Sequence, residues 1–176
     1  LVKGNEKDAP IIFNNNNTIF KNVLTGYIPD INYEKISINK RKTYIFYRAT
    51  LLDFIYGDLG QEKVNIGKVM KKIGLQNNLI VDIEWEMDKK VFGEDWYLKL
   101  LNSKTTLATE CGCRIFEWEP RNTEIQKILE TNPDYSYEEA KKDFDIDPMY
   151  ESCQVSPKMF EAVKLGTVLI MYEGEY

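Results

Sequence analysis

Residues Val81-Asp82-Ile83-Glu84-Trp85-Glu86-Met87-Asp88 alternate apolar and acidic side chains without a break. A period of two is what a half-buried β-strand demands, because successive side chains point to opposite faces of the pleat. Val81, Ile83, Trp85 and Met87 are then turned toward a core. Asp82, Glu84, Glu86 and Asp88 line the other side, with neighbours about 6.5–7 Å apart from the strand rise. A row of carboxylates at that spacing repels itself unless solvent or cations answer it, so the segment calls for a sheet with one polar face.

The flanking segments predict a meander around this strand. Leu79 to Asp88 turns through Val91–Asp95, returns through Trp96 to Leu101, and passes Asn102-Ser103 into a long strand from 104 to 119. Gly112 is a candidate bend within that strand, and Pro120 ends it. Upstream, Tyr33–Ile38 and Arg41–Tyr47 are rich in β-branched and aromatic residues, with Asn39-Lys40 as a short turn between them. Thr43, Ile45 and Tyr47 oppose Lys42, Tyr44 and Phe46; both faces are partly apolar, which predicts a central strand. The final strand, Thr167 to Tyr172, is apolar on both faces and is expected to insert between others.

Helices are predicted where the period changes. Thr50–Leu59 opens on a Thr50/Asp53 cap and stops at Gly60. Asn65–Ile73 places Ile66, Val69, Met70 and Ile73 on one face and stops at Gly74. Thr123–Glu130 is closed by Asn132-Pro133. Ser136 with Glu139 forms a capping box for a helix reaching Lys142, and Asp147-Pro148 makes a turn. Ser156, Pro157 and Gly166 frame a last helix. The expected fold is α+β, a mostly antiparallel sheet of about five or six strands with the helices of 50–74 and 122–166 packed on it. Residues 1–18, with an apolar Ile11-Ile12-Phe13 and a loop at Asn14–Asn17, read as a loosely ordered lead-in, and 19–176 as a single domain.

Composition narrows the chemistry. The chain contains no histidine, which removes imidazole nucleophile systems, proton shuttles and histidine-bearing metal sites. Twenty-eight acids against 23 bases give a net charge of −5, which disfavours nucleic acid as a general partner. The apolar run Val168–Tyr172 is too short to span a bilayer. A cytoplasmic protein without membrane contact is expected, with export left open because the chain begins at Leu1. Cys111, Cys113 and Cys153 are too few for a disulfide scaffold, and Cys153 reads as an inert thiol. Neither glycine-rich phosphate-loop pattern occurs.

These exclusions leave binding as the expected role. Asp82, Glu84, Glu86 and Asp88, extended by Glu94, Asp95 and Trp96, read as an acidic, aromatic-bearing face for a basic partner protein. Glu117, Trp118 and Glu119 are candidates to enlarge it. An inhibitor or immunity-type interaction domain fits, with no catalytic residue, metal or cofactor, and with the oligomeric state open. The competing reading is a solvated face answered by Lys99, Lys40, Lys42 and Arg48. Pro29-Asp30 and Asp88-Lys89-Lys90 carry the letters of a P-D…D-x-K nuclease. That resemblance is confined to these residues and implies a metal-dependent phosphodiesterase using Asp30, Asp88 and Lys90. The helices of 50–59 and 65–73 have helix-turn-helix spacing, with Lys68, Lys71 and Lys72 as phosphate contacts, although a packing unit fits the acidic surroundings better. A further alternative is a small-molecule pocket between the sheet and the carboxyl-terminal helices.

Overall fold

The computed structural model describes residues 28, 30–110, 120–146 and 156–171. The expectations placed on the 1–18 lead-in, on Cys111, Gly112 and Cys113, on Glu117–Glu119, on Asp147-Pro148 and on Cys153 lie outside these residues.

Strand β1 spans Thr43–Arg48, helix α1 Gly57–Gln76, β2 Val81–Glu84, helix α2 Gly93–Leu101 and β3 Ser103–Ala108. Helices α3 (Arg121–Thr131), α4 (Tyr137–Asp143) and α5 (Pro157–Lys164) follow, and β4 is Val168–Met171. The strands form one four-stranded sheet in the order β2-β1-β3-β4, and every pairing is parallel. The expected mostly antiparallel sheet of five or six strands is therefore corrected. Helices separate all the strands in sequence, and a crossover through a helix returns the chain to the starting end of the sheet, which makes neighbours parallel.

Three misreadings produced the antiparallel expectation. Trp96–Leu101 is helical, and its buried residues Trp96, Leu100 and Leu101 have helical rather than alternating spacing. Tyr33–Ile38 forms no strand. β2 ends at Glu84, so the alternation beyond it continues into a 3-10 turn at Met87–Lys89. β1 is interior, as its two partly apolar faces require, but among the described residues β4 is an edge strand, with Val168 49% exposed.

α1 replaces the two short helices expected between 50 and 74. Gly60 and Gly74 do not stop it. Together with Gly67 they recur every seven residues and fall on one face, drifting only about 20° per heptad. At Gly67 and Gly74 that face lies against the sheet, and at Gly60 against Leu52 and Tyr56 of the segment before the helix. A Cβ at Gly74 would sit 2.5 Å from Val81 Cγ1, and one at Gly67 would sit 3.4 Å from the Tyr47 ring. Each interior glycine costs a helix about 0.8–1 kcal/mol relative to alanine; here the cost is offset by close approach of helix to strand. The actual stop is Asn78, at φ 54°. Leu79 N–H donates to Gly74 O and Asn78 N–H to Leu75 O, a Schellman closure.

The sheet is covered on both faces. Ile45, Tyr47, Ile83 and Leu107 pack with Val64 and Ile66 of α1. Phe46 packs on the other face with Trp96, Leu100 and Leu101 of α2 and Ala162 of α5. A separate cluster of Ile125, Tyr135, Ala140 and Ile146 joins α3 to α4. The predicted capping box opens α4: Ser136 Oγ accepts from Glu139 N–H, and Glu139 accepts in return from Ser136 N–H. Tyr137 and Lys141 of α4 both bond Asp58 at the start of α1 and so tie this unit to the sheet.

Candidate functional site

The chain leaves β1 for β2 on one side and later enters β3 on the other. The sheet order therefore reverses between β1 and β3. At such a switch point the connections diverge and leave a crevice outside the carboxyl ends of the strands. A cleft of about 240 Å³ lies there. The ends of β1 and β3 contribute Arg48, Ala49, Thr50, Ala108 and Thr109; α1 contributes Lys63, and the start of α5 contributes Ser156 and Lys158. Trp96 and Met159 form apolar wall.

The lining is electrostatically one-sided. Among the described residues of the cleft, three are cations (Arg48, Lys63 and Lys158) and none is a carboxylate, in a chain whose net charge is −5. Thr50, Thr109 and Ser156 add hydroxyls. Ser156 precedes α5 but makes no side-chain cap bond, so its hydroxyl is not committed to the helix end. The first turn of that helix brings backbone N–H groups and the positive end of its dipole to the same place. Lys158 Nζ stands 4.9 Å from the Trp96 ring centroid, and Trp96 donates its indole N–H to Glu161 at 2.8 Å, which fixes the ring. Arg48 is already engaged, with Asp82 Oδ1 at 2.6 Å and Lys89 O at 2.8 Å. Lys63 makes no ion pair among the described residues.

Acids stand outside this lining. Burial, and then the like charges of Glu110 and Asp58, push the Glu62 carboxyl above the ordinary value of 4.5. Glu110 itself is buried just beyond β3.

The acidic residues read from the sequence are dispersed by the fold. Asp82 and Glu84 lie on β2, Glu86 and Asp88 at the following 3-10 turn, and Glu94 and Asp95 in the first turn of α2. Asp82 is gripped by Arg48 and Lys99, each at 2.6 Å. Burial alone would raise its pKa, but hydrogen bonds from Lys99 and Arg48 outweigh that and hold it below the ordinary carboxylate value. Glu84 pairs with Lys71 at 2.8 Å. Two of the four cations expected to answer the stripe, Lys99 and Arg48, do so. Glu86, Asp88, Glu94 and Asp95 are exposed, whereas Trp96 is buried beneath the cleft against Phe46, with ring centroids 5.1 Å apart.

Asp88 pairs with the adjacent Lys89 at 3.2 Å, and Asp30 lies exposed before β1. No three Cys, Asp or Glu side chains group as metal ligands among the described residues. In place of the helix pair expected at 50–59 and 65–73 stands one continuous helix, Gly57–Gln76, so its lysines do not belong to a helix-turn-helix. Sequence reading missed Arg48, Lys63 and Lys158 as a set. They come from a strand end and two helices, and no spacing links them; the only advance signal was Ser156-Pro157 marking a helix start. Comparison of the chain with family models, with curated proteins and with solved structures gives no match in any of the three.

Proposed function

We propose that this chain binds a compact anionic small molecule, phosphate- or carboxylate-bearing, at the carboxyl ends of β1 and β3. The observation that carries this reading is the cation-only charged lining of the switch-point cleft in a net-acidic chain. Ammonium groups and hydroxyls bind anions through hydrogen bonds, and those assisted by charge are about twice as strong as neutral ones. A volume near 240 Å³ is below the roughly 300–1,000 Å³ of sites for drug-sized ligands, which favours a small phosphorylated or carboxylated metabolite over a dinucleotide. The segment joining β1 to α1 has no glycine before Gly57, so side chains rather than a backbone cradle would supply the contacts.

Calorimetry with inorganic phosphate, a sugar phosphate and the matching neutral sugar tests the reading. Binding of the two anions alone is expected, weakened about tenfold in Lys63→Gln (~1.4 kcal/mol) and unchanged in Lys104→Gln, whose ammonium stands 3.8 Å over Tyr44 outside the cleft. Equal binding by the neutral sugar, or none by any ligand, removes it.

The acidic turn after β2 supports a second reading, that of a docking face for a basic surface. Met87 and Phe92 are 70% and 74% exposed, among Glu86, Asp88, Glu94 and Asp95. Apolar anchors inside a charged rim are the anatomy of a protein interface. Salt-sensitive retention on a lysine-rich peptide column, lost in Glu86→Lys/Asp88→Lys, is the expected result; indifference to salt and to the reversal counts against it.

A further inference from the structure

We infer that the ligand of the switch-point cleft carries two acidic groups on a short carbon chain and lies across the tips of β1 and β3, one acid at Lys63 and the other at Lys158. This deepens the anion-binding reading and rests on it, because it names the class of molecule: a small acid with an anionic group at each end.

Successive side chains of a strand point to opposite faces of its sheet. Phe46 and Leu169 pack on the face that carries α2 and α5, and Tyr47 and Leu107 on the face that carries α1. The cleft takes its lining from both faces: Tyr47, Leu107 and Lys63 on the α1 side, Trp96, Leu169 and Lys158 on the α5 side. It therefore straddles the strand tips. A helix with its side chains is about 10–12 Å across, so the axes of two helices on opposite faces of one sheet stand farther apart than that. Ammonium groups rooted on α1 and on α5 also repel each other, and the cleft has two positive poles rather than one. Arg48, the third cation of the lining, is spent on Asp82 and on Lys89 O.

The α5 pole is held in place by its own surroundings. Lys158 Nζ stands 4.9 Å from the Trp96 ring centroid, a cation–π contact, and the indole N–H of that ring is bonded to Glu161, one turn along α5. Glu161 also accepts from the Tyr97 hydroxyl, so two neutral donors answer its carboxylate. Leaving the ring to join Lys63 on a single anion would forfeit the cation–π contact, whereas an acid brought to Lys158 keeps it and adds a charge-assisted hydrogen bond. A ligand with one acidic group would leave one pole unanswered. Thr50 and Thr109, which follow β1 and β3, supply hydroxyls along the crossing, and a volume of about 240 Å³ keeps the spacer between the two acids short.

Calorimetry on the whole chain with glycerol phosphate and with phosphoglycerate, phosphorylated at its terminal hydroxyl, tests the inference. The two probes differ only by a carboxylate in place of a hydroxymethyl group. Phosphoglycerate is expected to bind at least tenfold tighter. Lys158→Gln, at an exposed position, is expected to abolish that preference while leaving the affinity for glycerol phosphate and the melting temperature unchanged. Lys63→Gln is expected to weaken both ligands about tenfold. Equal affinity of the wild type for the two probes overturns the two-ended ligand and leaves an anion site standing. So does a preference that survives in Lys158→Gln, an equal loss of both probes in that variant, or binding of inorganic phosphate alone. Absence of binding by either probe and by inorganic phosphate overturns both readings.

Discussion

The two ends of the parallel sheet are built on opposite principles. At the amino-terminal end, Arg41 is only 4% exposed, and no carboxylate contacts it in the described hydrogen bonds. Its Nε donates to Ile36 O, its terminal nitrogens to Ser103 O, Leu165 O and Thr167 Oγ1. Thr167 Oγ1 in turn donates to Leu100 O, and Ser103 Oγ to Lys99 O. One cation thus holds the approach to β1, the starts of β3 and β4 and the end of α5, with its hydrogens spent on fixed acceptors. At the carboxyl-terminal end three cations surround a cleft, and Lys63 is committed to no described acid. A buried guanidinium whose three nitrogens are all bonded to fixed acceptors stiffens a frame, whereas the cations gathered around the cleft are the ground on which the anion-binding proposal stands.

The strongest way to break this contrast is to remove the frame. Arg41→Met leaves several buried acceptors without donors and is expected to cost about 3–5 kcal/mol, given the worth of charged hydrogen bonds. The drop is read as a lower urea midpoint. Phosphate affinity of the protein that remains folded is expected to hold; if it falls in step, the two ends are one cooperative unit.

A smaller effect probes the joint between them. Gly74→Ala gains helix propensity of about 1 kcal/mol but drives its Cβ into Val81. A net loss of about 1–2 kcal/mol is expected from overpacking. Gly74→Ala combined with Val81→Ala should lose less than the two single changes summed, and strict additivity would show that the contact is not strained.

The smallest effect lies beside the cleft. Glu62 has a raised pKa in the folded state, so its ionisation opposes folding: stability is highest below its unfolded pKa and declines as pH rises through the folded value. Glu62→Gln is expected to raise the melting temperature slightly at neutral pH. That gain should vanish as pH falls below 4.5, the ordinary glutamate value. A gain that persists in acid points to packing instead.

Which parts of this molecule were legible follows from the range of the signals. The capping box of Ser136 and Glu139, the Ser156-Pro157 start and the Gly166 stop at φ 69° are local and read directly from sequence. So was β1, whose two partly apolar faces place it inside the sheet. Strand direction was not legible, because the alternation at Val81–Glu84 is the same for a parallel and an antiparallel edge. Direction depended on recognising Gly93–Leu101 as helix, and the acids before Trp96 drew attention to surface rather than period. The seven-residue glycine spacing of α1 was visible but was read as two stops. The cleft was hidden for a different reason: Arg48 and Lys158 are brought together by topology alone, across all of β2, β3 and the α3–α4 unit.

The parallel arrangement also sets a timetable. Both β1 and β3 are complete once Ala108 has been made, but Thr105 waits for Val168, 63 residues later, for its other neighbour. At a synthesis rate of about 5–20 residues per second, that is about 3–13 s during which one side of a forming sheet has no β4 to cover it. Long-range parallel pairing is intrinsically slow to close even from the complete chain. A nascent copy therefore passes through a stage with β3 open on one flank, and holding that flank apart from other chains becomes a matter of kinetics, governed by how soon β4 arrives.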